Sequence, residues 1–118
     1  MHRGSDRLRS GTRFLWRALS SPYNPLLAQM VVTRRCNLNC VYCNEYNLVS
    51  PPVPLARLLA QVDHLAQLRT AAITCTGGEP LLHPELPEVI SAIRRRGMVV
   101  TMITNGFKLS RKRIEALN

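Results

Sequence analysis

The stretch "LLAQMVVTRRCNLNCVYC", residues 26–43, joins a short run of apolar and β-branched residues to a segment holding three cysteines, Cys36, Cys40 and Cys43. Its first eight residues, preceded by Pro22 and Pro25, have the length and composition of a buried strand. The same signature returns twice. "AAITCT" (71–76) ends at Gly77-Gly78, and "MVVTMI" (98–103) follows Gly97. Between the first two runs, "SPPVP" (50–54) breaks the chain. Leu55, Leu58, Leu59, Val62, Leu65 and Ala66 then recur at helical spacing, with Pro54 suited to the first turn. Leu86, Val89, Ile90 and Ile93 mark a second helix, closed by basic residues and Gly97. Ser110 is placed to cap a third helix running through Leu117.

The resulting order, β-α-β-α-β-α, has helical crossovers, which join parallel strands with right-handed connections. The expected fold class is therefore α/β, a parallel βαβαβα unit over residues 25–118, behind a basic arm at 1–24 expected to be helical. Parallel strands place the loops that follow them on one face of the sheet, where α/β proteins hold their sites. Those loops are "RRCNLNCVYC" (34–43), "GGEP" (77–80) and "TNGF" (104–107), so every unusual motif in the chain falls on one rim. An open three-stranded sheet leaves its edges uncovered. The chain, reaching Asn118 at the end of the third helix, is accordingly expected to be part of a longer protein.

A chain of 118 residues that is 46% apolar suits one modest globular domain. Four cysteines would suggest a disulfide framework only in a secreted context. "FLWRAL" (14–19) is interrupted by Arg17 and is too short for a signal-peptide core or a membrane span, and Arg34-Arg35 sits mid-chain with no apolar segment behind it. The expectation is a cytoplasmic protein with reduced thiols. Residues 1–35 hold seven arginines against Asp6 alone and so carry +6 of the formal +9. Such an arm can meet nucleic acid, an acidic membrane surface or an anionic substrate, or simply solubilise a packed helix. The last is the plainest reading, because no aromatics interleave with the arginines as in a single-strand binder. Leu8, Leu15 and Leu19 fall on one helical face with Trp16 beside it, a pattern compatible with an interfacial helix.

Thiolates select zinc, copper(I) or iron–sulfur clusters. A structural zinc site takes four closed ligands, usually as two short-spaced pairs, whereas this loop offers three in one group. Cys75, in the second strand, shares a face with Ile73 and is expected to be a small buried apolar residue, with Thr74 and Thr76 on the other face. His64 is expected on the polar side of its helix, and His83 at a helix start. Three ligands suit a four-iron cluster with one iron left open for another group. In "GGEP", glycines at a strand end permit close backbone approach, Pro80 stops the strand, and Glu79 adds a carboxylate near any ligand amine.

"CNLNCVYC" followed by "TGGEP" and then "TNG" resembles the radical S-adenosylmethionine superfamily, over residues 26 to about 110. The resemblance implies the N-terminal half of a partial (β/α)6 TIM-like barrel. It implies a 4Fe–4S cluster on Cys36, Cys40 and Cys43, whose fourth iron is chelated by S-adenosyl-L-methionine. Tyr42 would lie against the adenine. Gly77, Gly78 and Glu79 would hold the methionyl amine, partly through backbone oxygens, and Thr104 and Asn105 would face cofactor or substrate. The implied activity is reductive cleavage of the cofactor to a 5′-deoxyadenosyl radical that abstracts hydrogen from a substrate, with a flavodoxin- or ferredoxin-like one-electron donor as partner. The other readings are a non-catalytic iron–sulfur or zinc module, an inactive remnant of such an enzyme, and a basic nucleic-acid-binding protein.

Overall fold

The computed structural model describes residues 3–44 and 47–118, with side chains from residue 11 onward. The position of Leu8 on the apolar face of the first helix lies outside the described side chains. The elements run α1 (Arg3–Ser20), β1 (Leu27–Thr33), α2 (Leu55–Gln67), β2 (Ala72–Gly77), a 3-10 turn at Pro80–Leu82, α3 (Leu86–Arg95), β3 (Val99–Met102) and α4 (Arg111–Leu117). The three strands form one sheet in the order β1-β2-β3, with both pairs parallel. This is the βαβαβα architecture expected of the sequence.

Registers align Met30 with Cys75 and Cys75 with Met102, so a row of sulfur-bearing side chains crosses the sheet. Val32, Ile73 and Cys75 from the strands, Leu58 and Val62 from α2, and Val89 and Ile93 from α3 are fully buried together. The remaining apolar positions of α2, namely Leu55, Leu59, Leu65 and Ala66, pack around that cluster. Deleting such a side chain costs about 2–5 kcal/mol, so these two helices are held chiefly by their apolar stripes. On the other side of the sheet, Thr74 and Thr101 pair through their hydroxyls at 2.8 Å, and Val31 is exposed.

The register shifts between Val31 and Thr33, where the pairing passes from Val31–Thr76 to Thr33–Gly77 and leaves Val32 as an extra residue. A bulge re-aims the chain beyond it. Here it lies immediately before the cysteine loop. His83 is buried and ties two segments together: its Nε2 lies 2.8 Å from the Val53 carbonyl and its Nδ1 accepts from the Glu85 amide at 3.1 Å. An acceptor Nδ1 fixes the neutral tautomer with the proton on Nε2. The histidine therefore acts at the start of α3, and His64 is exposed, both as the sequence suggested.

Helix ends follow their sequence signals. Ser110 Oγ accepts from the Arg113 amide and caps α4. Past α3, Gly97 has φ +74, the Gly97 amide reaches Arg94 O, and the Met98 amide reaches Ile93 O, a Schellman termination. The same pattern closes α2, with Arg69 amide to Ala66 O and Thr70 amide to Leu65 O. There, however, the left-handed position is held by Arg69, at φ 58.

Candidate functional site

The site lies where β1, β2 and β3 end. After β1 the chain enters the cysteine loop, whose base is closed by a parallel bridge between Arg35 and Asn47. The Cys36 amide donates to Asn47 O at 3.2 Å, and the Asn47 amide to Arg34 O at 2.8 Å. The Asn47 side chain then turns the exit, accepting from the amides of Val49 and Ser50. Inside the loop, the Cys43 amide donates to Cys40 O at 3.0 Å, a tight turn that keeps these two cysteines adjacent.

The loop after β2 packs directly on this segment. The Gly78 amide donates to Thr33 O at 2.8 Å, and the Glu79 amide to Arg35 O at 2.9 Å. The two glycines are required by that approach. A Cβ on Gly77, whose φ is +147, would stand 2.0 Å from Thr33 O, and one on Gly78 would stand 2.4 Å from Arg35 O. What the glycines admit at close range is thus the backbone of the cysteine-bearing loop.

Glu79 is fully buried, and its carboxylate is shared among three donors. Oε1 accepts from the Leu81 amide at 2.9 Å and from Thr104 Oγ1 at 2.7 Å, and Oε2 accepts from the Asn105 amide at 2.8 Å. This carboxylate clamps the loop after β2 to the loop after β3. Thr104 is committed to the same clamp and also accepts from the Gly106 amide at 3.1 Å.

Asn105 completes the ring of loops. Its Nδ2 donates to Asn37 Oδ1 at 3.0 Å and reaches Cys36 Sγ at 3.9 Å, while its Oδ1 accepts from the Phe107 amide. The Leu38 amide also donates to Cys36 Sγ, at 3.4 Å. One sulfur thus accepts two N–H groups, the arrangement that steadies and tunes thiolate ligands of iron–sulfur clusters. Asn37 was legible only as a loop residue, and Asn105 only as a residue expected to face cofactor or substrate. Nothing in their spacing, 68 positions apart, announces that they bond to each other.

Cys36, Cys40 and Cys43 are partly exposed and free of disulfides, whereas Cys75 is buried in the core. Burial pushes the Cys75 thiol up to about 11, so it is a neutral apolar filler. Tyr42 stands 88% exposed on the cysteine loop. A hydrogen bond with Cys40, and then the charges that Cys40 and Cys43 can carry, raise its phenol above the ordinary tyrosine range. Among the described residues, no group of three or more His, Cys, Asp or Glu is gathered as a single metal ion requires. The donor set fits a larger group: three soft thiols on one loop at an open rim, one of them already accepting N–H groups.

The fold and rim define a parallel α/β protein whose thiol-bearing loop follows the first strand and is locked to the loops after the second and third. The chain belongs to the radical SAM superfamily, whose family model matches residues 30–118. It is 35% identical over 103 residues to a PqqA peptide cyclase of Gluconobacter oxydans, covering 85% of this chain and 28% of that protein. It is also 35% identical over 89 residues to a GTP 3′,8-cyclase of Limosilactobacillus fermentum, covering 69% and 26%. With an Fe-coproporphyrin III synthase of Methanosarcina barkeri it shares 32% identity over 96 residues, covering 73% and 22%. The chain thus spans about a quarter of the length of these curated relatives.

Proposed function

We propose that these residues form the cluster- and cofactor-binding half of a radical S-adenosylmethionine enzyme. The observation that carries the reading is the linkage of the three motif loops: Asn105 reaches Cys36 and Asn37 with its side chain and Glu79 with its amide. Cys36, Cys40 and Cys43 hold a 4Fe–4S cluster through three thiolates. When bound, the cluster and S-adenosylmethionine would supply one-electron reductive cleavage of the cofactor for hydrogen abstraction from a substrate.

The chain's own residues orient that chemistry. An ammonium group is a donor only and needs acceptors. The amides of Gly78 and Glu79 already bond Thr33 O and Arg35 O, and the Glu79 carboxylate is engaged with Leu81, Thr104 and Asn105. Because the Glu79 carbonyl already accepts from the Leu82 amide, the carbonyl oxygens of Gly77 and Gly78 are the acceptors this loop brings to the methionyl amine. Tyr42, exposed beside Cys40, offers a ring face to the adenine. The three named relatives act on or make a PqqA peptide, a GTP-derived product and Fe-coproporphyrin III. The region they share with this chain therefore serves common chemistry, and substrate choice resides outside it.

Anaerobic reconstitution of the full natural chain tests the assignment. A reduced cluster whose electron paramagnetic resonance spectrum changes on adding S-adenosylmethionine is expected, with the cluster lost in Cys40→Ala. Bound zinc without sulfide, or an intact cluster in Cys40→Ala, would overturn it.

A further inference from the structure

At the end of the sheet opposite the thiol loop, α1 lies across the turns that lead into β2 and β3. Arg17 ties it there. Arg17 donates through both terminal nitrogens, to Thr70 O and to Arg96 O, each at 2.8 Å. Phe14, Arg17 and Ala18 are half-buried toward the body. The apolar residues on the far side are not covered: Leu15 is 57% exposed, Trp16 65% and Leu19 81%. Leu15 and Leu19, four apart, share a face, and Trp16 borders it.

The ground beside this ridge is strongly cationic. Arg13, Trp16, Arg17, Arg95, Arg96 and Gly97 line an open pocket of about 410 Å³. Burial, and then the charges of Arg13 and Arg69 nearby, depress the Arg17 guanidinium. Asp63, bonded to Arg96, is the acid that answers this cluster among the described residues. Arg69 holds the left-handed position of the α2 termination, where glycine is the cheap choice and a side chain costs about 1 kcal/mol or more. A cation is thus kept at a strained position among other cations. Among the described residues, Asp63 on Arg96 is the one carboxylate recorded against these arginines.

We propose that α1 docks the protein on an anionic membrane surface, with a lipid phosphate in the arginine pocket and Leu15, Trp16 and Leu19 entering the headgroup–acyl boundary. The helix does not cross the bilayer, since no described helix is long and apolar enough. It lies in the plane, as amphipathic basic helices do. An excess of arginines over carboxylates selects anionic lipid, the apolar ridge distinguishes a bilayer from a soluble polyanion, and the tryptophan suits the interface. Docking by this end leaves the thiol loop, at the other end of the strands, directed away from the lipid. The inference does not depend on the chemistry proposed for that loop.

The test is flotation of the full natural chain with vesicles of phosphatidylglycerol mixed with phosphatidylcholine, and with phosphatidylcholine alone. Co-flotation is expected with the anionic vesicles only. The fluorescence component lost in Trp16→Phe should shift to the blue on binding. Arg13→Glu with Arg95→Glu should weaken partitioning by about thirtyfold or more, since each surface arginine contributes about 1 kcal/mol and each glutamate adds repulsion. Leu15→Glu with Leu19→Glu, at exposed positions that leave the fold intact by circular dichroism, should abolish it. Absence of flotation, or flotation unchanged in the leucine variant, overturns the proposal. So does binding to a single-stranded oligonucleotide, or self-association lost in the leucine variant, where neither is accompanied by flotation.

Discussion

Cys75 and Glu79, four residues apart, show how burial assigns opposite duties to two ionisable side chains. Cys75 has no polar partner and sits among Ile73, Leu58 and the α3 side chains, so its proton is retained by desolvation alone. Its folded-state value, raised to about 11 from 9.0, means that the folded chain keeps a proton the unfolded chain releases. Stability is then unaffected below the unfolded value and falls as pH rises through the window between the two. The total loss is about 3 kcal/mol at most. Urea midpoints measured across that alkaline window should decline more steeply for the natural chain than for Cys75→Ala. Equal slopes would show that the buried thiol is not the group responsible. Alternation along "AAITCT" already placed Cys75 away from the other three cysteines, so this residue's role was legible in the sequence. That of Glu79 was legible only by position. Its inward turn onto Leu81, Thr104 and Asn105 depends on contacts from a loop some 25 residues away.

At the level of elements, apolar runs and spacing located the three strands, α2 and α3, the helices being held by burial of one face. Helix α4, with no buried residue, was located by its Ser110 cap. The ends of the helices needed finer chemistry. Ser110 and Gly97 behave as their residue types predict, but the Schellman turn after α2 was hidden by its arginine. Arg69 adopts φ 58 without the freedom of glycine, and its charge stands near Arg17. Replacing it with glycine removes both the strain and the repulsion. Arg69→Gly should therefore stabilise the fold by about 1 kcal/mol in chemical denaturation. A destabilised variant would mean that the arginine side chain contributes contacts outweighing its backbone cost. The orientation of α1 was likewise beyond the sequence. Its periodicity identifies an apolar face, but the Arg17 fork on Thr70 and Arg96 is what shows this face turned outward.

Across the whole molecule, the rim behaves as one unit because a single buried carboxylate joins the loops after β2 and β3, and glycine backbone joins the loop after β2 to the cysteines. Glu79→Gln replaces an acceptor with an amide that opposes one of three donors, at a cost of about 1–3 kcal/mol. It should lower global stability by that amount. It should also broaden the cluster's paramagnetic signal in the reconstituted full chain, since Asn105 would no longer be held against Cys36. A variant with native stability and an unchanged spectrum would show that the loops are positioned independently. The bridge between Arg35 and Asn47 has a further consequence, for entropy. Closing a loop carries a cost that grows only slowly with its length. Here two backbone hydrogen bonds close a ring around the cysteines. A group that gathers Cys36, Cys40 and Cys43 has only to subdivide that ring. Much of the ordering that metal assembly would otherwise demand is already accomplished by two amide hydrogen bonds.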